Sequence, residues 1–271
     1  MTDVPALPAD RNFDDLAARL RRNVYDRLKG DIRLAVLRRD LAEAVPGLAA
    51  LNEPDAPAGP TLRILDAGGG QGQLAVALAG LGHRVALCDI SAAMLDLARE
   101  NVAAAGLADR VECHHDSIQA HCARHPESFD LVLCHAVLEW VAEPETLLAC
   151  LSGALRPGGL LSLTFYNVNG LIMKNLLRAN FAKVVAEDYR GFRGSLTPTN
   201  PLRLEQVCQW LDSLGLPVLG HSGIRCFHDY IPDPAHRNLD PASQIELELR
   251  LSREEPFRGL GRYIHLLALR P

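Results

Sequence analysis

Short apolar runs recur along this chain, separated by stretches in which apolar positions return every three or four residues. The runs near 62–67, 84–89, 110–115, 129–135 and 158–165 read as buried strands, and the stretches between them as helices with one apolar face. The clearest helix runs from Ser91 to Ala105, with Ser91 placed to cap it. A helical pattern also precedes the first strand, extending to about Val45, and the Pro/Ala-rich segment Pro54–Pro60 links the two. After the fifth strand the alternation stops. Asn167 to Asn200 reads as an inserted helix and loop, a helix follows near Arg203–Leu214, and the last strands are expected at 217–226 and 261–269 around a mostly helical excursion.

Strands alternating with helices, joined by right-handed crossovers, predict an α/β fold built on a doubly wound, mostly parallel sheet. Residues 1–60 form a helical cap and linker, and 61–271 the α/β domain with its insertion at about 167–200. A ligand of such a sheet binds outside the carboxyl ends of the strands, where strand order reverses. The 271 residues are 48% hydrophobic, enough for a sizeable core. Seven cysteines form no Cys-x-x-Cys pair and several lie inside apolar runs, which points to reduced, buried thiols in a cytoplasmic protein. No apolar run approaches the ~20 residues that span a bilayer, and the N-terminus lacks a signal-peptide core, so no membrane partner is expected.

The chemistry is concentrated in Leu65-Asp66-Ala67-Gly68-Gly69-Gly70-Gln71-Gly72, between the first strand and a helix. Glycines there let the backbone turn tightly and approach a ligand closely. A dinucleotide loop has glycines at offsets zero, two and five, but the fifth position after Gly68 is Gln73. Gly68, Gly70 and Gly72 alternate instead. About twenty residues on, the second strand ends in Asp89, where a carboxylate can take hydrogen bonds from both hydroxyls of a ribose; a strand-end acid beside the capping Ser91 is the plainer alternative. Met94, early in the next helix, is placed either to cover an adenine edge or to fill the core. After strand three, Ile118 and Gln119 suit the apolar wall and the polar edge of an adenine. Strand four delivers His135, a cofactor contact in preference to a general base. Cys113, His114, His115, Asp116, His121, Cys122 and His125 match no zinc spacing, and strand alternation splits His114 from His115, so no metal is expected.

The glycine loop resembles motif I of the class I S-adenosylmethionine methyltransferases. The resemblance narrows through Arg11-Asn12-Phe13-Asp14-Asp15, Lys29-Gly30 with Arg33, His135-Ala136-Val137-Leu138-Glu139-Trp140, Leu155-Arg156-Pro157-Gly158-Gly159, Phe165-Tyr166-Asn167, Phe227-His228-Asp229-Tyr230 and Gly261-Arg262-Tyr263-Ile264-His265. Together these resemble the bacterial tRNA 5-carboxymethoxyuridine methyltransferases. The resemblance implies a seven-stranded Rossmann-like sheet with one antiparallel strand in a final hairpin. It implies transfer of a methyl group from S-adenosyl-L-methionine to the carboxylate of the tRNA wobble nucleoside. The implied cofactor contacts are Arg33, Gly68, Gly69, Asp89, Ile118, Gln119 and His135; Arg33 would pair with the methionine carboxylate, against the alternative of a solvated helix face.

A carboxylate is already ionised near neutral pH, so this chemistry needs no base, and rate comes from alignment, worth on the order of 7–11 kcal/mol. The expected substrate pocket is Tyr166, Asn167, His228, Tyr230, Arg262 and Tyr263, all of which could equally pack as core. The net charge of −5 does not advertise a nucleic-acid partner. Locally, however, residues 11–39 hold nine Lys/Arg against four Asp/Glu, and residues 170–203 six against two. Lys174, Arg178, Lys183, Arg190 and Arg193 are therefore candidates for tRNA phosphates. A small-molecule carboxyl or hydroxyl methyltransferase, using 167–200 as a lid, is the alternative within the same chemistry. An NAD(P)-dependent oxidoreductase lacks its glycine pattern and a Tyr-x-x-x-Lys set; a non-catalytic cofactor-binding protein also stays open.

Overall fold

The computed structural model describes residues 10–14, 28–57, 59–189, 198 and 200–271. Seven strands form one sheet: β1 (Arg63–Ala67), β2 (Arg84–Asp89), β3 (Val111–His115), β4 (Phe129–His135), β5 (Leu155–Tyr166), β6 (Val218–Ile224) and β7 (Tyr263–Leu269). Their order across the sheet is β3-β2-β1-β4-β5-β7-β6. β1 to β5 pair in parallel, whereas β7 runs antiparallel to both β5 and β6. The first five strands lie within a few residues of the expected runs. β5 begins at Leu155, ahead of the expected 158, because Leu155 pairs with Phe129 before Arg156–Gly159 bulges out and Leu160 resumes the ladder beside Leu131. β7 starts at Tyr263 and not 261.

Successive residues of a strand face opposite sides, so each side of the sheet has its own core. On one side Leu65, Val132, Cys134 and Leu163 pack beneath α4 (Ile118–Arg124), α5 (Pro144–Ala154) and α8 (Leu204–Ser213). On the other, Ile64, Leu131 and Leu133 pack beneath α1 (Leu28–Ala44), α2 (Gln73–Gly80) and α3 (Ala92–Ala104). Ser91 caps α3, accepting from the Met94 amide, and Met94 itself is buried. After β5 come α6 (Val168–Leu176) and α7 (Phe181–Val185), and between β6 and β7 lies α9 (Pro241–Leu251) among short 3-10 turns. None of the described helices is long and apolar enough to cross a membrane.

Parallel strands place their carboxyl ends on one edge. Because β7 is antiparallel, its start shares that edge with the ends of β1 to β6. Ala67, Asp89, His135, Tyr166, Arg225 and Tyr263, far apart in sequence, therefore border one crevice.

Candidate active site

The glycine loop folds back over the strand it leaves. Gly68, Gly70 and Gly72 have φ of 71°, 57° and 77°, the left-handed region where a Cβ is penalised. A Cβ on Gly69 would stand 2.7 Å from the Asp66 carboxyl carbon and 2.8 Å from Leu87. The loop is tied to the neighbouring strand: Gly68 N donates to Cys88 O (2.7 Å) and Gly70 N to Asp89 Oδ2 (2.9 Å). Ser91 N donates to Asp89 Oδ1 (2.8 Å). Each oxygen of Asp89 thus holds one backbone donor, and an ionised carboxylate retains further lone pairs for a diol. Burial raises the Asp89 pKa while the two amides oppose the rise. Beneath the loop, burial and then the charge of Asp89 push Asp66 up to about 7, with Arg33 pulling the other way. Arg33 itself reaches Gln73 from α1 (3.4 Å).

Residues 10–14 form a strap across this edge. Asp10 accepts from Ala142 N (2.9 Å) and Gln119 Nε2 (3.4 Å), and Arg11 N donates to Trp140 O (3.0 Å). Asn12 donates to Ile90 O (3.2 Å), and Asp14 accepts from Ser91 Oγ (2.7 Å) and Ala93 N (3.2 Å). Phe13 meets Trp140 edge to face at 5.0 Å. Through Asp10 and Arg11 the strap links Gln119 to the turn after His135, and Ile118, next to Gln119, is buried.

His135 ends a buried polar chain that crosses the sheet. Its Nε2 lies 2.8 Å from Ser162 Oγ, which lies 2.9 Å from His265 Nε2; His265 Nδ1 lies 2.7 Å from Asp40 Oδ2. Burial raises the Asp40 pKa, but His265 and Arg39 outweigh it and hold the carboxyl well below its usual range. An ionised carboxylate only accepts, so Nδ1 of His265 carries the hydrogen. Ser162 Oγ can donate to one imidazole and accept from the other, so it fixes the orientation of both rings. Burial, then His265 and Arg33, keep the His135 pKa well below 6.5, which favours the neutral ring.

Beyond Tyr166 the crevice is lined by charge. Arg262 Nε (2.9 Å), Arg225 Nη2 (3.1 Å) and Lys29 Nζ (4.0 Å) converge on Asp229. Burial raises the Asp229 pKa, but Arg225, Arg262 and Lys29 together hold it far below the usual value. The Arg262 guanidinium lies over Tyr166 and that of Arg225 over Tyr263, each at 5.3 Å, and the two rings meet edge to face at 5.1 Å. Tyr166, Arg262 and Tyr263 are thus brought together. Asn167, His228 and Tyr230 stand at the margin with their polar atoms engaged internally. Asn167 donates to Gly259 O and Gly261 O, His228 pairs with Gln244, and Tyr230 donates to Leu260 O. Burial pushes Glu139, in the turn after β4, up to about 8.

Sequence reasoning overlooked Lys29, Arg225, Asp229, Glu139 and the Ser162–His265–Asp40 chain as site members. Asp229 and Glu139 lie inside blocks already noted, but Arg225 sits at φ 58°, for which a lone arginine gives no signal. His121 lies between His114 (4.7 Å) and His125 (4.6 Å), with the rings tilted to one another. Among the described residues no three His, Cys, Asp or Glu side chains are grouped to hold a metal ion. Lys174 and Lys183 lie on α6 and α7, and Arg178 between them; Arg190 and Arg193 fall outside the described residues.

Strand order, alternating glycines and a strand-end acid define a class I methyltransferase. A methyltransferase-domain family model matches residues 65–163. Two solved structures share the fold. One is magnesium protoporphyrin IX methyltransferase from Synechocystis PCC 6803 with bound SAH (TM-score 0.58, 16% identity, 96% of both chains). The other is a putative S-adenosylmethionine-dependent methyltransferase from Listeria monocytogenes (TM-score 0.59, 15% identity, 89% of this chain and 99% of that one). A ubiquinone biosynthesis O-methyltransferase from Klebsiella pneumoniae is 32% identical over 40% of this chain and 44% of its own. The tRNA 5-carboxymethoxyuridine methyltransferase of Escherichia coli is 42% identical over 97% of both chains. The chain belongs to the tRNA 5-carboxymethoxyuridine methyltransferase family.

Proposed function

We propose that this protein transfers the methyl group of S-adenosylmethionine to the carboxylate of 5-carboxymethoxyuridine at the tRNA wobble position, forming the methyl ester. The observation that carries this reading is the 42% identity along 97% of both chains, which takes in the last strands and the insertion as well as the glycine loop. A tRNA substrate supports a cytoplasmic site for the reaction.

For the cofactor we assign Arg33, Gly68, Gly69, Asp89, Ile118, Gln119 and His135. The donor set fits: Asp89 keeps lone pairs for ribose, Ile118 and Gln119 offer an apolar surface and an amide, and Arg33 is a cation for a carboxylate. When bound, S-adenosylmethionine supplies a methyl group made electrophilic by its sulfonium. The acceptor carboxylate, with an unperturbed pKa of about 4, is already ionised, so no side chain has to take a proton from it. The chain's part is to bind, orient and exclude water. His135, fixed through Ser162, holds one ring orientation beside the cofactor, and the strap of residues 10–14 shields that edge. Tyr166, Asn167, His228, Tyr230, Arg262 and Tyr263 are assigned to the substrate side, and Arg178 and Lys183 to tRNA phosphates along α6–α7. Of the expected cap over 1–60, the described residues 10–14 and 28–57 are assigned to cover the methyltransferase domain.

Mass spectrometry of tRNA nucleosides from cells lacking the gene tests the reading. Unesterified 5-carboxymethoxyuridine should accumulate at the expense of its methyl ester, and a nucleoside profile identical to that of the parent strain sinks the proposal.

A further inference from the structure

The substrate half of the crevice holds more positive charge than it neutralises. Lys29, Arg225 and Arg262 share one carboxylate, Asp229. Lys174, near the end of α6, adds a fourth cation, and among the described residues no carboxylate pairs with it; its half-buried ammonium is pushed down to about 8 by burial and then by the charge of Arg262. On Arg262 the Nε hydrogen is committed to Asp229, while Nη1 is enclosed and meets no acceptor. A buried guanidinium donor without an acceptor is costly and calls for explanation. The Tyr166 ring fixes the guanidinium plane. The cluster also borders the cofactor side, since the charge of Arg33 is felt by Tyr263 as well as by His135 and Asp66.

We infer that Arg262 Nη1 and Lys174 Nζ, with Lys29 beside them, form a subsite that grips the substrate's carboxylate. The assignment rests on the reaction proposed above and names the residues that hold its acceptor group. Nη1 is enclosed, so an anion reaches it only when neighbouring side chains move, and the Lys174 ammonium, on a flexible stem, can follow the charge. With Nε already engaged, Nη1 meets a single oxygen and leaves the other oxygen to attack the methyl group. The surplus of cations over Asp229 is what the arriving anion neutralises.

The test compares tRNA bearing 5-carboxymethoxyuridine with the same tRNA bearing plain uridine at that position, both titrated in the presence of S-adenosylhomocysteine. Wild-type protein should prefer the carboxylated tRNA at least tenfold. Lys174→Met and Arg262→Lys should each cut that preference to threefold or less and raise KM more than they lower kcat, with affinity for S-adenosylhomocysteine unchanged. Lys174→Met alters a half-buried side chain, so it reports even where the Arg262 variant fails to fold. A preference that survives Lys174→Met intact overturns the subsite. Equal loss of binding to both tRNAs also overturns it, since Lys174 would then be a phosphate contact. A wild type that methylates without any preference overturns the grip alone, whereas one that methylates neither tRNA brings down the reaction beneath it.

Discussion

Asp89 shows how far a single side chain can be read from sequence. Its place at the end of a strand, a fixed interval after a glycine loop, is local information, and the structure adds the two amides that aim its oxygens. Replacing it by alanine removes the diol acceptor together with the acceptor of the Gly70 and Ser91 amides. Asp89→Ala should weaken S-adenosylhomocysteine binding at least tenfold, about 1.4 kcal/mol, in calorimetry on a folded sample; unchanged affinity removes Asp89 from the cofactor site. Asp229 was harder to read, because its meaning lies in Lys29 and Arg262, which the fold alone brings to it. Lys174 carries a pH signature. Burial and Arg262 lower its pKa to about 8, so its charge is present below that pH and lost above it; Arg262, Asp229, Arg178 and Lys29 are the charges that face it. KM for the carboxylated tRNA should therefore rise between pH 7 and 9, and Lys174→Arg should flatten the rise.

At the level of elements, helix α1 is joined to the sheet by one buried carboxylate. Asp40 accepts from His265 of β7, from Arg39 in its own helix and from Arg253 after α9. Asp40→Ala would strand these donors, a change that costs on the order of 3–5 kcal/mol when a buried ion pair loses one member. Thermal unfolding should show that loss, with a smaller one for Ser162→Ala, which breaks the link to His135 while leaving Asp40 paired. The depressed pKa of Asp40 also sets a sign: its contribution is complete above the unfolded carboxyl value of about 4 and disappears as acid titrates the folded state below it. Strand positions were legible because each apolar run is continuous and bounded by turn residues. The polar chain was not, since Ser162 and His265 sit inside otherwise apolar strands and only cross-sheet neighbours reveal them.

Over the whole molecule, a net charge of −5 conceals a basic flank. Lys174, Arg178 and Lys183 share the α6–α7 segment with exposed Leu176, Leu177, Phe181 and Val185. If this segment meets tRNA phosphates, neutralising Arg178 and Lys183 together should shallow the plot of log affinity against log salt, by about 0.7–0.9 for every phosphate no longer paired with a cation. An identical slope would place the RNA elsewhere on the surface. Composition gave no hint of this flank; only counting charge by segment did.

The placement of β7 bears on how the protein is made. β6 precedes β7 in the chain, yet β7 lies between β6 and β5 and pairs with both. A nascent polypeptide that has emerged from the ribosome as far as α9 therefore carries Val218–Ile224 with no ladder to join, and β5 with an open flank. Assembly must wait for Tyr263–Leu269 to slot into the gap. That same stretch brings Arg262 to the crevice, so closing the sheet and completing its anion-facing wall are a single event in biogenesis.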